Sequence, residues 1–177
     1  MSERPPTIGS ARLLLRPFTM ADIVDGYIQW LNDPKVVRFS NQRFRRHDVE
    51  SCLAYLHSFS GSENMFLAIC MLNGNRMIGT MTAYISPYHG TADMGILVGE
   101  RSVWGQGVGL EAWSLLMLHL LQGGSCRKVT GGALRCNIGM VKIMERSGMH
   151  LEAVRAKQEI VDGNPQDALY FAKFRDE

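Results

Sequence analysis

Three glycines at alternate positions, Gly105, Gly107 and Gly109, join a strand-like segment (Ala92 to Val98) to an apolar run that starts near Leu110. Glycine turns sharply and keeps side chains away from an approaching ligand. The run beyond it has helical character and is apolar almost all round, since Glu111, Ser114, His119 and Gln122 share one narrow face. Such a helix has to be largely buried. Its first turn presents free amide N–H groups backed by the positive end of the helix dipole, an arrangement suited to phosphate oxygens. Strand, glycine turn and buried helix together predict a pyrophosphate cradle at the junction.

Two familiar cradles do not fit. A Walker loop ends in Gly-Lys-Ser/Thr, whereas Gly109 is followed by Leu110 and Glu111. A dinucleotide fingerprint begun at Gly105 and Gly107 puts its third glycine on Leu110. It also wants an acidic residue about 20 positions on, where the chain has Cys126-Arg127-Lys128 instead.

Elsewhere the pattern alternates between strands and helices. Arg12 to Arg16 is a short strand, and Thr19-Met20-Ala21-Asp22 is suited to capping a helix with Ile23, Tyr27 and Leu31 on one face. Asp33-Pro34 ends that helix. A second, from about Asp48 to Phe59, aligns Val49, Cys52, Leu53, Leu56 and Phe59. Met65 to Leu72 turns at Asn73-Gly74-Asn75 and returns antiparallel as Met77 to Ile85. After the turn Pro87 to Gly90 comes the strand that feeds the glycine loop. The apolar helix stops at Gly123-Gly124. Lys128 to Ala133 is a strand, Gly139 to Ser147 a helix, and Leu151 to Val161 pairs with Asp167 to Phe174 across Asp162-Gly163. The expected class is α+β, one domain over residues 1–177 with neither repeat nor linker.

Composition bounds the partners. With 46% hydrophobic residues in 177, the chain can bury a full core. Its net charge of +2 is evidence neither for nor against nucleic acid or an acidic ligand. The one basic cluster is Arg38 with Arg43-Phe44-Arg45-Arg46, whose plainer reading is a solvated loop. Cys52, Cys70, Cys126 and Cys136 show no metal spacing, so reduced thiols in a cytoplasmic protein are expected, with no metal. Met1 to Pro6 has no apolar run, and no signal peptide or membrane span is expected.

Trp104-Gly105-Gln106-Gly107-Val108-Gly109 resembles the acetyl-CoA loop of the GCN5-related N-acetyltransferases (GNAT), Q/R-x-x-G-x-G/A. The leading tryptophan departs from the general pattern but is similar to the branch that acetylates ribosomal-protein N-termini. Three further segments follow in the family's order. Ala11 to Pro17 resembles that branch's opening strand, Arg-Leu-x-Leu-Arg. Asn137 followed by Arg146-Ser147-Gly148-Met149 is similar to its Asn…Lys-x-Gly-Phe segment. Val161-Asp162-Gly163 with Asp167 resembles its closing hairpin. The resemblance implies an α/β/α sandwich with a mixed, mostly antiparallel sheet, acetyl-CoA as cosubstrate, an amine acceptor and no metal. It assigns no nucleic-acid or membrane partner and is compatible with a homodimer.

The same resemblance assigns site residues. The loop Trp104 to Gly109 and Asn137 would bind the cofactor. Leu97 and Val98, ending the preceding strand, would offer backbone donors to the acetyl group; both also read as strand core. A lysine-like amine has a pKa near 10.4, so reaching its neutral form at pH 7 costs about 4–5 kcal/mol without a base. Asp93 in Ala92-Asp93-Met94-Gly95, similar to the branch's Ala-Glu-x-Gly, is the first candidate base, acting through water, and Tyr84 the second. Glu111 reads best as a helix-dipole partner and His89 as a solvated turn residue. The family's sulfur-side acids fall here on Met140 and Met144, which cannot donate a proton.

The expected activity is acetyl transfer to a primary amine of a small molecule or a protein N-terminus. Tyr27 to Val36 resembles a segment of relatives linked to amino-sugar biosynthesis, and the nearby arginines suit the diphosphate of a nucleotide-linked sugar. A GNAT-fold acyl-CoA-binding or sensor module without turnover is the alternative.

Overall fold

A computed structural model of the chain describes residues 6–123 and 126–175. Gly124 and the N-terminal Met1 to Pro5 lie outside the described residues.

Eight strands form one sheet: β1 (Ile8–Gly9), β2 (Leu13–Pro17), β3 (Met65–Met71), β4 (Arg76–Ser86), β5 (Thr91–Val98), β6 (Lys128–Leu134), β7 (His150–Val161) and β8 (Asn164–Phe174). Their spatial order is β1-β2-β3-β4-β5-β6-β8-β7. Every neighbouring pair is antiparallel except β5 and β6. The expected class therefore holds: a mixed, mostly antiparallel sheet flanked by helices.

Alternation along the strands creates two cores. Leu67 and Ile69 of β3 point to the face covered by α3 (Val108–Gln122) and α4 (Ile138–Arg146). Phe66, Ala68 and Cys70 point to the face covered by α1 (Asp25–Asn32) and α2 (Val49–His57). Trp113, Leu116 and Leu120 of α3 have no exposed surface. Truncating such a leucine costs about 2–5 kcal/mol.

The hairpins follow their turn residues. Gly74 and Asn75 take positive φ in the four-residue connection between β3 and β4, and Asp162 and Gly163 do so between β7 and β8, as a tight two-residue turn requires. The last strand starts at Asn164 rather than Asp167, and the first helix also starts later than expected. Thr19 caps a 3-10 turn, Met20–Asp22, and the helix proper begins only at Asp25. The reason is Asp22. Its carboxylate accepts from Thr19 and also takes a bidentate pair from Arg16 at 2.7 and 2.8 Å, which holds the turn onto β2. Burial pushes the Asp22 carboxyl up, but those bonds outweigh it and its pKa is net lowered.

The feature that positions the site is a parting of two strands. β5 pairs with β6 only from Thr91↔Lys128 to Met94↔Gly131. Beyond that rung Gly95 to Val98 stay with β4, while Gly132 to Leu134 stay with β8. Trp113 packs at the vertex, where a Cβ on Gly131 would meet its indole at 2.7 Å. Only glycine lets the ring seat there.

Candidate functional site

Half of the backbone groups of Gly95 to Val98 face the opening without a strand partner. The wedge widens into a cleft of about 750 Å³, walled by Leu97 and Val98 on one side and by Gly132 and Ala133 on the other. Trp104, Gly105, Gly107 and Gly109 line the end where α3 begins, and Asn137 and Met140 line the α4 side.

The glycine loop is shaped by two left-handed residues, Gly105 (φ 75°) and Gly107 (φ 79°), the second being the N-cap of α3. The first intrahelical bond of α3 runs from Glu111 N–H to Gly107 O, at 3.0 Å. The N–H groups of Val108, Gly109 and Leu110 therefore have no partner among the described residues. They open at the positive end of a 15-residue helix. A Cβ on Gly109 would come within 3.0 Å of Ile143 Cδ1 and 3.7 Å of Val98 Cγ2, which shows how closely β5, α3 and α4 converge.

Contacts from outside the loop fix its shape. Trp104 Nε1 donates to Val98 O at 2.8 Å, tying the loop to the strand end. Gln106 does not point its side chain into the cleft; Nε2 donates to Ser102 O at 2.8 Å. Arg12, just before β2, forms an ion pair with Glu111 and reaches Gln106 O at 3.3 Å, while Ser10 donates to Glu111 at 2.6 Å. Burial raises the Glu111 carboxyl, but those donors lower it further. Glu111 is thus a clasp on the loop rather than a group free to meet an acceptor.

Two cations of the cleft were not singled out from sequence. Lys142 and Arg146 lie one turn apart on α4, line the cleft, and meet no carboxylate among the described residues. On an amphipathic helix an i, i+4 basic pair looks like a solvated face, so only the cleft distinguishes it. Asn137 accepts from Met140 N–H at 3.3 Å and so caps α4 while also bordering the cleft. Met144 is fully buried in the core, whereas Met140 reaches the cleft.

Asp93 and Tyr84 stand opposite each other in the β4–β5 ladder, on the face that carries α1 and α2, and neither lines the main cleft. Thr130 Oγ1 donates to Asp93 at 2.6 Å. Surrounding protein raises the Asp93 pKa above the ordinary carboxylate value, opposed by that bond, although the residue keeps an opening to solvent. Tyr84 OH is 2.8 Å from Tyr55 OH of α2. His89 sits in the turn at the opposite end of β5 from the loop, its carbonyl accepting from Arg127.

Residues 33–46 cross above the parting strands like a strap. Phe39 packs with Leu134, Val161 and Tyr170, and Arg38 pairs with Asp162 at 2.7 Å. Arg43 donates to the carbonyls of Ser40 and Ile160 at 2.8 and 3.1 Å and lies over the Phe44 ring. The basic cluster is thus divided: Arg38 and Arg43 fasten the strap to the β7–β8 hairpin, and Arg43 is not free to clamp a diphosphate. Among the described residues no group of three or more His, Cys, Asp or Glu side chains is arranged to hold a metal, and no disulfide joins Cys52, Cys70, Cys126 or Cys136. No helix among them is long and apolar enough to cross a membrane.

Residues 12–150 match the family model of the acetyltransferase (GNAT) domain. No curated protein sequence matches the chain. Among solved structures, a GNAT-family acetyltransferase from Bacillus anthracis superposes with a TM-score of 0.82 at 17% identity, over 97% of this chain and 100% of that one. A ribosomal L7/L12 α-N-protein acetyltransferase (RimL) in complex with coenzyme A gives 0.80 at 19%, over 96% and 98%. A spermidine N-acetyltransferase from Vibrio cholerae, in complex with CoA and spermine, gives 0.82 at 13%, over 94% and 98%.

Proposed function

Because the chain belongs to the GNAT acetyltransferase domain family, we propose that it transfers the acetyl group of acetyl-CoA to a primary amine. One observation carries the reading: the unpartnered amides of Val108, Gly109 and Leu110 open onto a cleft whose long wall is the unpaired edge of β5. Pyrophosphate would sit on those amides, helped by Lys142 and Arg146. The amide-bearing arm of the donor would lie along β5 and pair with its free backbone groups as an added strand. That would put the thioester carbonyl near Leu97 and Val98, where the backbone N–H that faces the opening is suited to the developing oxyanion. Trp104 and Asn137 would border the donor, one at each side of the mouth.

The amine enters from the face of α1 and α2, under the strap. Asp93 takes a proton from the ammonium through water, the neutral nitrogen attacks the thioester carbon, and as the C–S bond breaks the surplus proton of the nitrogen passes to water. The raised Asp93 pKa brings the carboxylate closer to that task. Tyr84, held by Tyr55, would orient the acceptor. Coenzyme A can leave as thiolate, since a thiol near pKa 8.5 is a tolerable leaving group.

The acceptor class we infer is an amine on a small molecule, a nucleotide-linked amino sugar among them, or a protein N-terminus as in the ribosomal-protein branch. We place the protein in the cytoplasm as one domain, alone or as a homodimer, without a nucleic-acid or membrane partner. A second reading, an acyl-CoA-binding or sensor module, draws on Met140 and Met144 standing where relatives keep an acid. Thiol release from acetyl-CoA across a panel of amines decides: sustained release with one acceptor supports the enzyme, and tight acetyl-CoA binding with no release from any amine supports the module.

A further inference from the structure

The strap has two sides. Lys35, Val36, Phe39 and Ser40 face the donor cleft, whereas Pro34, Val37 and Gln42 face a separate cavity of about 560 Å³. Ile28 and Leu31 of α1 give this second cavity an apolar floor. Arg45, Arg46, Asn32 and His47 form its polar wall, and no carboxylate lines it.

Most of the other arginines are held by a partner, Arg146 of the donor cleft being an exception. Arg12, Arg16, Arg38, Arg76, Arg101 and Arg135 each have a carboxylate partner. Arg127 and Arg175 bond backbone carbonyls, and Arg155 lies over Tyr170. Arg45 and Arg46 have neither carboxylate nor carbonyl partner among the described residues. His47 Nε2 is shielded from solvent and also without a partner there. Two unneutralised guanidiniums meet around one cavity with an apolar floor, with the His47 side chain beside them.

We propose that this cavity is a binding site for a phosphate-bearing small molecule, separate from the acetyl-donor cleft. A phosphomonoester carries about −1.5 to −2 charge at pH 7 and so matches two arginines, whereas one carboxylate would leave a guanidinium uncompensated. Its oxygens accept the paired N–H groups of a guanidinium fork. The apolar floor takes the organic body, and the volume falls within the range of about 300–1,000 Å³ usual for such ligands.

AMP serves as the probe. It is titrated calorimetrically into the whole protein already saturated with CoA, so that the amides of α3 are occupied. CoA binding is measured first on the same sample; if it gives no heat, the donor reading fails separately and AMP is titrated into the unliganded protein. The expected result is AMP binding by wild type and affinity weaker by about tenfold or more in Arg45→Ala/Arg46→Ala, with CoA affinity unchanged. Both side chains are at the surface, so the variant should fold. Adenosine, lacking the phosphate, should not bind, and raising salt from about 0.05 to about 0.3 M should weaken AMP. Absence of AMP binding, equal affinity in the double variant, or adenosine binding as tightly as AMP would overturn the proposal.

Discussion

Thr130 Oγ1 donates to Asp93 Oδ1 at 2.6 Å, one rung before β5 and β6 part. The bond joins the two strands at the vertex of the wedge and holds the carboxylate on the side from which an amine would approach. Burial raises the Asp93 pKa and this bond opposes the rise.

A base must be ionised to accept a proton, so the wild-type rate should climb with pH through the raised Asp93 pKa. Thr130→Val removes the opposing bond, and the acidic limb of kcat/KM should move to still higher pH. Asp93→Asn should lose about 10²–10⁴-fold at neutral pH and recover in part toward pH about 10, where the amine is already neutral. Profiles that overlay wild type at every pH would take the role from Asp93 and leave Tyr84 next to test.

The clasp between Arg12 and Glu111 predicts a separation of Michaelis constants. Arg12→Ala should weaken acetyl-CoA about two- to fivefold, the worth of a partly exposed ion pair, because Gln106 O and the first turn of α3 lose their anchor. The acceptor KM should not move. Steady-state kinetics with each substrate varied in turn reads the difference.

Much of the donor side was legible in the sequence. Gly105, Gly107 and Gly109 announced the turn, and the all-round apolar run predicted the burial of α3. The parting of β5 and β6 was not, because strand separation depends on Trp113 seating against Gly131, and neither residue signals the other in sequence. Thr19 to Asp22 was recognisable as a cap, but the turn it caps is set by Arg16, which no local rule includes. The strap escaped for the same reason: Arg38 meets Asp162, and Arg43 meets Ile160, across most of the chain.

The loop glycines should respond differently to substitution. At Gly107 the left-handed φ of 79° penalises any L side chain, so Gly107→Ala should cost about 1–2 kcal/mol of stability whatever it does to binding. Gly109 lies in ordinary helical space, where a Cβ would press the flexible tip of Ile143 at 3.0 Å and touch Val98 at 3.7 Å. Gly109→Val should leave a folded protein, with a small fall in Tm, and weaken acetyl-CoA about tenfold or more by filling the space in front of the amides. Thermal unfolding beside calorimetry separates the two effects.

The Arg16–Asp22 pair supplies a stability test away from the site. Asp22 is 8% exposed, and removing its charge leaves Arg16 uncompensated. Asp22→Ala should cost about 3 kcal/mol at pH 7 in urea unfolding. The folded pKa of Asp22 is depressed, so this contribution is complete above the ordinary carboxylate pKa and fades as pH falls through the lowered value. The gap between wild type and variant should therefore narrow in acid; a constant gap would assign the loss to packing.

The central claim is that the first amides of α3 hold the donor's pyrophosphate. Backbone ¹⁵N–¹H spectra can follow Val108, Gly109 and Leu110 during titration with CoA and, separately, with S-acetylpantetheine, which lacks the nucleotide and its phosphates. The account predicts large shifts at these three amides with CoA, and with S-acetylpantetheine only changes along Gly95 to Val98. Saturation with CoA that leaves Val108, Gly109 and Leu110 unmoved would contradict it.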